Sequence, residues 1–179
     1  KNFEEISARD LSELLQTDVK VSFHSGVHVN EKTSSPDNEW DIEHYLNVDL
    51  LEDSEGLEYT QYTEDPSLLE AVSRKREVEQ KFYSGLLKSN CRVTSQPDWG
   101  DVFIHIKSKN AVDAHSILKY IVSFRDECHF HEEICECIYK RLQDAFEPSE
   151  LLVMCLYARR GGIDINPVRA SSNDLIKRF

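Results

Sequence analysis

The spacing of hydrophobic residues changes along the chain, and each change predicts a different element. Apolar residues recur at helical spacing over residues 3–15, and residues 19–23 then alternate as in a half-buried strand. Residues 78–87 have a period of two once Gly85 is allowed as a bulge, and residues 101–107 alternate more clearly. We therefore predict a helix and a strand first, and two further strands later in the chain.

The second half of the chain carries two helical patterns and then a continuous apolar run. Residues 112–124 and 131–146 have apolar side chains every three or four positions, which predicts two successive helices. Pro148 ends the second helix, and residues 151–158 form a short apolar run that is typical of a buried strand. The order strand, strand, helix, helix, strand predicts an α+β layer rather than a doubly wound parallel sheet.

Acidic residues are concentrated in one stretch. The 179 residues include 33 Asp and Glu against 21 Lys and Arg, a formal net charge of −12. Residues 33–73 hold twelve of the acidic residues and no Lys or Arg, so the rest of the chain is neutral. We interpret this stretch as a solvated connector, although apolar residues such as Trp40 and Tyr59 offer anchors for a strand or two. The acidic balance argues against direct binding of nucleic acid, which requires clustered Lys and Arg.

Other features of the composition indicate where the protein works. No apolar run approaches the roughly 20 residues of a membrane-spanning helix, and no segment resembles an export signal, so we expect a cytoplasmic protein without a membrane partner. Five cysteines are an odd number, which favours free thiols over a disulfide framework. Because the chain begins with Lys1 rather than Met, we expect it to be part of a longer protein.

A polar loop between two predicted strands, residues 87–100, offers a nucleophile and an acid. Cys91 lies seven positions before Asp98, and Pro97 restricts the backbone just ahead of that carboxylate. A thiol near a carboxyl group suits covalent catalysis. The alternative is that Cys91 has no chemical role and that Asp98 only favours a turn.

A second motif places cysteines beside histidine and glutamate. If a helix already runs at Cys128, then Cys128, His131 or Glu132, and Cys135 share one helix face that could bind zinc. No Cys-x-x-Cys pair occurs in the chain, so we expect no metal. His131 and Glu132 at a helix start are instead suited to proton transfer and hydrogen bonding with a substrate, or to a purely structural role at the positive end of the helix dipole.

A third motif is a basic turn after the last predicted strand. Arg159, Arg160, Gly161 and Gly162 put two guanidinium groups beside a backbone that a ligand can approach closely. Such a turn suits phosphate groups, although neither of the common Gly-rich nucleotide-binding loops is present.

In this order and spacing, the motifs resemble those of the 7-cyano-7-deazaguanine reductases, the nitrile reductases of queuosine biosynthesis. The resemblance covers residues 86–169. Cys-x-x-Thr-x-Gln-Pro-Asp-Trp begins at Cys91, Ser-Phe-Arg at Ser123, Phe-His-Glu at Phe130 and Arg-Arg-Gly-Gly-x-Asp-Ile-Asn-Pro at Arg159. The resemblance implies the tunnelling fold, an antiparallel sheet with two helices on one face, in which partner halves or subunits complete a barrel.

The same resemblance implies an NADPH-dependent oxidoreductase that acts in a tRNA-modification pathway. It would reduce the nitrile of 7-cyano-7-deazaguanine to the amine of 7-aminomethyl-7-deazaguanine. By analogy, the Cys91 thiolate adds to the nitrile to give a covalent thioimide, and Asp98 supplies a proton. His131 and Glu132 bind the substrate, and His131 also assists proton transfer.

For the cofactor and the partners, the resemblance assigns the NADPH contacts to Arg160 and Gly161 and implies a homo-oligomer. We expect residues 1–73 to be the end of a first module plus an acidic connector, and residues 74–179 to be the catalytic module. A Glu-Ser-Lys-Ser-type motif that longer family members carry is absent from the chain. We therefore expect only part of the substrate clamp to be present, so that turnover needs the missing module.

Two alternatives remain open at the level of the sequence. Zinc-dependent GTP cyclohydrolases share the tunnelling fold, and the cysteines between Cys128 and Cys137 are the feature that favours them. The other alternative is a non-catalytic binding or assembly module in which Cys91 has no role.

Overall fold

The computed structural model describes residues 3–21, 44–51, 56–72 and 76–177. The chain divides into two compact units, residues 1–39 and 40–179. In the first unit, helix α1 (Phe3–Leu15) confirms the predicted helix. The strand predicted at residues 19–23 is wrong for residues 19–21, since the Val19 amide bonds to the Ser12 hydroxyl instead of to a strand partner. Residues 22 and 23 lie outside the described part.

The second unit is built on a five-stranded sheet in the order β1-β3-β4-β6-β7. β1 pairs in parallel with β3, and the other neighbouring strands of this sheet are antiparallel. A second sheet pairs β2 with β5. The strands are β1 (Leu46–Asn47), β2 (Ala71–Val72), β3 (Val78–Asn90), β4 (Pro97–Ser108), β5 (Ala111–Val112), β6 (Glu150–Tyr157) and β7 (Val168–Ala170).

Two helices, α2 (Ala114–Val122) and α3 (His131–Phe146), pack on one face of the large sheet. Their buried apolar side chains and those of β3, β4 and β6 form the main core. The opposite face carries a smaller cluster around Phe103 and Met154, which the short helix α4 (Asn173–Lys177) covers with Leu175. The predicted α+β layer with two helices on one face is therefore confirmed, with one parallel strand pair as an exception. A barrel completed by partner subunits stays a prediction.

The helix predicted at residues 112–124 begins and ends inside those limits. Val112 belongs to β5, because the Gln80 side chain bonds both its N–H and its carbonyl oxygen and so keeps it extended. The Asp113 carboxylate accepts the amide hydrogen of Ser116 and caps α2. After Val122 the chain continues as a 3-10 helix over residues 123–126.

The predicted bulge in β3 is confirmed, and the acidic stretch stabilises it. The pairing with β4 shifts register between Ser84 and Leu87. Asp49 accepts hydrogen bonds from the Ser84 hydroxyl at 2.6 Å and from the Gly85 amide at 2.7 Å. A Cβ at Gly85 would lie 3.1 Å from the Tyr83 hydroxyl, which leaves little room for a larger residue.

The described parts of the acidic stretch contact the main core at several points, although many of their residues are exposed, and the connector interpretation stays a prediction. Val48 is fully buried in the main core, and Tyr59 packs against it. The carboxylate of Glu64 pairs with Arg141 and accepts a hydrogen bond from the Tyr120 hydroxyl. The segment also forms β1 and β2, which agrees with the anchoring strands that its apolar residues allow. A division into modules at residue 73 stays a prediction.

The helices of the described residues are too short or too polar to cross a membrane.

Candidate active site

Cys91 follows β3 directly and opens a tight loop, residues 91–96. The Ser95 amide donates to the Cys91 carbonyl at 2.8 Å, and the Cys91 amide donates to the Gln96 carbonyl at 2.8 Å. Ser95 adopts a left-handed conformation with φ 55° at the turn. The loop is shorter than the polar run of the sequence, because β3 extends to Asn90 and β4 begins at Pro97.

The Cys91 thiol is partly exposed and surrounded by hydrogen-bond donors. The hydroxyl and amide of Thr94 and the amide of Val93 lower the pKa of Cys91 below its ordinary value, while the negative charge of Asp98 opposes the shift. Donors that bond a charged sulfur favour the thiolate, which is the nucleophilic form. The loop therefore activates Cys91 through its own backbone and one side chain.

Asp98 lies on β4, buried, and ties together residues from two other motifs. Its Oδ1 is 2.5 Å from a terminal nitrogen of Arg160 and 3.4 Å from His131 Nε2. An arginine and a histidine therefore face one carboxylate in a region that excludes most solvent. The structure brings Asp98, His131 and Arg160 into contact, although the sequence separates them by up to 62 positions. The negative charge of Asp98 also acts on Cys91.

His131 is the first residue of α3, and its side chain is almost fully buried. The helix start is organised by its neighbours, since the Glu133 carboxylate accepts the amide hydrogen of Phe130. The imidazole stacks on the ring of Tyr157, with centroids 3.8 Å apart and planes at 9°. Because the helix start and the stacked ring both hold it, His131 faces Asp98 in a fixed orientation.

Glu132 does not join this cluster. It is exposed and lines an open groove along α3 that contains neither Cys91 nor Asp98. The other residues of this groove are Glu133, Glu136, Cys137, Lys140, Arg141 and Arg169. The contact of Glu132 with the substrate stays a prediction.

The basic turn has the backbone that its glycines predict, but its arginines are already paired. Gly161 and Gly162 have φ of 58° and 83°, and a Cβ at either would meet no atom within 4 Å. The Arg159 guanidinium forms a two-pronged contact with Asp164. Arg160 donates to the Gln96 side chain at 2.9 Å and to the Pro97 carbonyl at 2.8 Å, besides its contact with Asp98. The open backbone suits a phosphate-bearing cofactor, and Arg160 would have to exchange partners to reach it.

The predicted shared face of cysteines and histidine does not form. α3 begins at His131, so Cys128 precedes the helix, and its exposed thiol lies 3.9 Å from the Asp126 carbonyl. Cys135 is fully buried and donates to the carbonyl oxygens of Val153 and Pro167. No group of three or more potential metal ligands occurs among the residues that the structure describes.

Arg92 is a residue of the site that sequence reasoning missed. It directly follows Cys91 and reaches the start of α3, where it pairs with Glu133 at 2.9 Å and bonds His129 Nδ1 at 3.1 Å. Its guanidinium also lies 5.4 Å from the centre of the Phe130 ring. The contacts join the Cys91 loop to the helix that carries His131. An arginine next to the cysteine, with acidic and aromatic residues at a helix start, was the available signal.

Comparison with known proteins agrees with the motifs. Residues 97–175 match the family described as QueF-like protein. The chain is 36% identical over 174 residues to an NADPH-dependent 7-cyano-7-deazaguanine reductase of Colwellia psychrerythraea. The match covers 96% of this chain and 58% of that protein. It is 39% identical over 181 residues to the protein of the same name from Psychrobacter cryohalolentis, with 94% of this chain and 59% of that protein covered.

These matches make the chain similar to the QueF-like family over residues 97–175. The curated relatives it matches are named NADPH-dependent 7-cyano-7-deazaguanine reductase, so the resemblance that the motifs indicate is confirmed. The chain spans about three fifths of the length of these relatives. A solved structure, the archaeosine synthase QueF-Like in the apo form, is 21% identical with a TM-score of 0.47, over 55% of this chain and 95% of that one.

Proposed function

We propose that this chain supplies the catalytic module of an NADPH-dependent reductase that converts the nitrile of 7-cyano-7-deazaguanine to a primary amine. One observation carries the proposal: a partly exposed thiol with a lowered pKa interacts electrostatically with a buried carboxylate, which a buried histidine faces. The names of the curated relatives supply the substrate and the cofactor.

The first step is the formation of a carbon–sulfur bond. The Cys91 thiolate adds to the nitrile carbon, one carbon–nitrogen π bond breaks, and the nitrogen takes up a proton to give a thioimide. The Asp98 carboxylate oxygen that faces His131 Nε2 at 3.4 Å also lies 2.5 Å from a terminal nitrogen of Arg160. Asp98 and His131 are proposed to deliver the proton together.

Two reductions follow. NADPH, when bound, would supply one hydride for each of them. Only the second takes up a further proton at the substrate nitrogen, because the proton gained when the thioimide forms stays on the nitrogen of the imine. After the first, the carbon–sulfur bond breaks, which returns the Cys91 thiolate and leaves an imine. The second converts the imine to the amine. The balance is one nitrile, two NADPH and two protons giving one amine and two NADP⁺.

The residues proposed to hold NADPH are Arg160 and Gly161. The glycine backbone is open to a ligand, and the guanidinium is partly exposed, although it is engaged with Asp98 and the Gln96 side chain. Glu132 and His131 are proposed to bind the substrate. Because the chain spans about three fifths of the length of its relatives, we propose that complete turnover requires a further module that this sequence does not contain.

Mass spectrometry of the intact chain tests the nucleophile. With the nitrile present and no NADPH, the chain is expected to gain the mass of one substrate molecule. The variant Cys91→Ala should gain none, and Cys128→Ser, which removes the exposed thiol before α3, should gain as much as the parent. The absence of any adduct in the parent chain at saturating nitrile would contradict the proposal. Complete turnover by this chain alone would contradict the need for another module.

A further inference from the structure

The buried imidazole of His131 has one nitrogen that the described protein residues do not use. Nε2 faces Asp98, while Nδ1 is buried and finds no hydrogen-bond partner in the described part of the chain. Buried polar atoms are almost always bonded, so an unpaired nitrogen on an imidazole that faces Asp98 indicates a contact that forms only with a ligand. That contact requires the imidazole plane to be held in advance.

The ring of Tyr157 provides this restraint. Tyr157 is the last residue of β6, its side chain is buried, and its ring lies nearly parallel to the imidazole at 3.8 Å. A stacked ring prevents the imidazole from rotating about its χ2 angle, which is otherwise a broad torsion. Nothing in the reaction proposed above assigns a role to Tyr157.

The Tyr157 ring is itself held by its neighbour on β4. Gly100 pairs with Tyr157 across the sheet, and a Cβ at Gly100 would lie 3.0 Å from Cδ1 of the ring and 2.9 Å from the Leu156 carbonyl oxygen. The contact with the Leu156 carbonyl is closer than real Cβ atoms come, and the contact with the ring is tighter than nearly all of them. A side chain at Gly100 would therefore force the strand or the ring to shift. Gly100 lies only two positions after Asp98, which links the carboxylate and the stacked pair through one strand.

The phenol hydroxyl does not exchange protons in this arrangement. Burial raises the pKa of Tyr157 far above its ordinary value, so the group stays neutral. Its influence on His131 therefore passes through the aromatic ring, and phenylalanine should serve nearly as well.

We propose that Tyr157 is a positioning residue that fixes the His131 imidazole, so that Nε2 faces Asp98 and Nδ1 stays available to the substrate. This inference rests on the proposed function for its chemical meaning. The stacking itself is a property of the protein without substrate, and it is tested separately.

Two measurements on the whole chain test the inference in the parent and in Tyr157→Phe and Tyr157→Leu. The His131 ring protons, assigned by NMR with a His131→Gln variant, should keep the shift caused by the stacked ring in the Phe variant and lose it in the Leu variant. Formation of the Cys91 adduct with the nitrile should slow about tenfold or more in the Leu variant and stay near the parent rate in the Phe variant. Tyr120→Leu, which removes another buried tyrosine away from His131, controls for loss of packing and should keep both signals.

Either of two results would overturn the inference: a Leu variant with a parent-like adduct rate, or a Phe variant as slow as the Leu variant. If the Leu variant does not fold, Gly100→Ala displaces the ring while keeping the tyrosine, and it should reproduce both effects. If the parent forms no adduct, the proposed function fails, and the NMR shifts still decide whether Tyr157 holds the imidazole.

Discussion

Two kinds of thiol in this molecule show how surroundings decide chemistry. Cys91 is partly exposed in a loop whose donors lower its pKa. Cys155 is fully buried in β6, where burial and the neighbouring thiol of Cys135 raise its pKa well above the ordinary value. Cys91 therefore ionises more readily than an ordinary thiol, and Cys155 stays neutral. Cys135, which is also fully buried, has a histidine and several glutamates near it in sequence. From the sequence alone, it would be expected to be at least as reactive as Cys91.

The difference teaches that local hydrogen-bond donors and solvent access matter more than nearby residue types. The charged neighbours of Cys135 in sequence point along an exposed groove, and its sulfur points inward to two carbonyl oxygens. Cys91 has fewer charged neighbours in sequence, and the fold brings the charge of Asp98, which His131 faces, to act on it. Four experiments test this contrast between Cys91 and the buried thiols.

The largest expected effect is on alkylation rates. In the folded chain, iodoacetamide should modify Cys91 at least about a thousandfold faster than Cys155, because the buried thiol reacts only after the core opens. Peptide mapping over time measures both rates in one sample. In denaturant the ratio should fall to a few-fold. Comparable rates in the folded chain would remove the basis of the contrast.

The next effect is the loss of the carboxylate near Cys91. Asp98→Asn should slow adduct formation with the nitrile about a hundredfold, because the proton held by the His131–Asp98 pair is no longer delivered. The matched control is Asp164→Asn, which removes the partner of Arg159 on the basic turn and should change the rate little. Equal rates for both variants would assign no role to Asp98.

Stability should depend on the two thiols in the opposite order. Cys155→Ser places a hydroxyl in a site without water and should lower the free energy of unfolding by about 2 kcal/mol. Cys91→Ser should change it by less than about 0.5 kcal/mol, since the side chain is partly exposed. Denaturant titration of both variants gives the comparison, and a larger loss for Cys91→Ser would reverse it.

The smallest effect concerns the donors to Cys91. Thr94→Val removes the hydroxyl that lowers the pKa of Cys91, so that pKa should rise. The reactive thiolate exists above the pKa, and the alkylation profile should therefore move to higher pH, with a severalfold slower rate at neutral pH. Thr94→Ser keeps the hydroxyl and should leave the profile unchanged. A profile that moves to lower pH in the Val variant would contradict the assignment of the donor.

The sequence was sufficient for the elements whose pattern is local. The period of residues 78–87, the bulge at Gly85, and the helix over residues 131–146 all follow from spacing, and all are confirmed. The helical spacing wrongly includes Val112. Its extended state depends on the side chain of Gln80, 32 positions away, and spacing alone does not reveal that contact. The packing of the acidic stretch was missed for a similar reason, since Asp49 finds its partners at the bulge of β3.

The reactive groups of the candidate site could be predicted from the sequence, but the residues that hold these groups in place could not. Motif order predicts Cys91, Asp98 and His131 as site residues, but no spacing rule places Arg160 on Asp98. Arg92 and Tyr157 act through contacts that form only when the loop, α3 and the end of β6 meet. Supporting residues of this kind depend on tertiary geometry, and a single sequence carries little trace of it.

The most direct test of the account is the position at which the nitrile of 7-cyano-7-deazaguanine binds covalently. The folded chain is incubated with the nitrile, digested, and all five cysteine peptides are analysed by mass spectrometry. We predict that only the peptide containing Cys91 carries the substrate mass, and that its yield rises with pH as the thiolate forms. An adduct on Cys128, the most exposed thiol, with Cys91 unmodified would contradict the account.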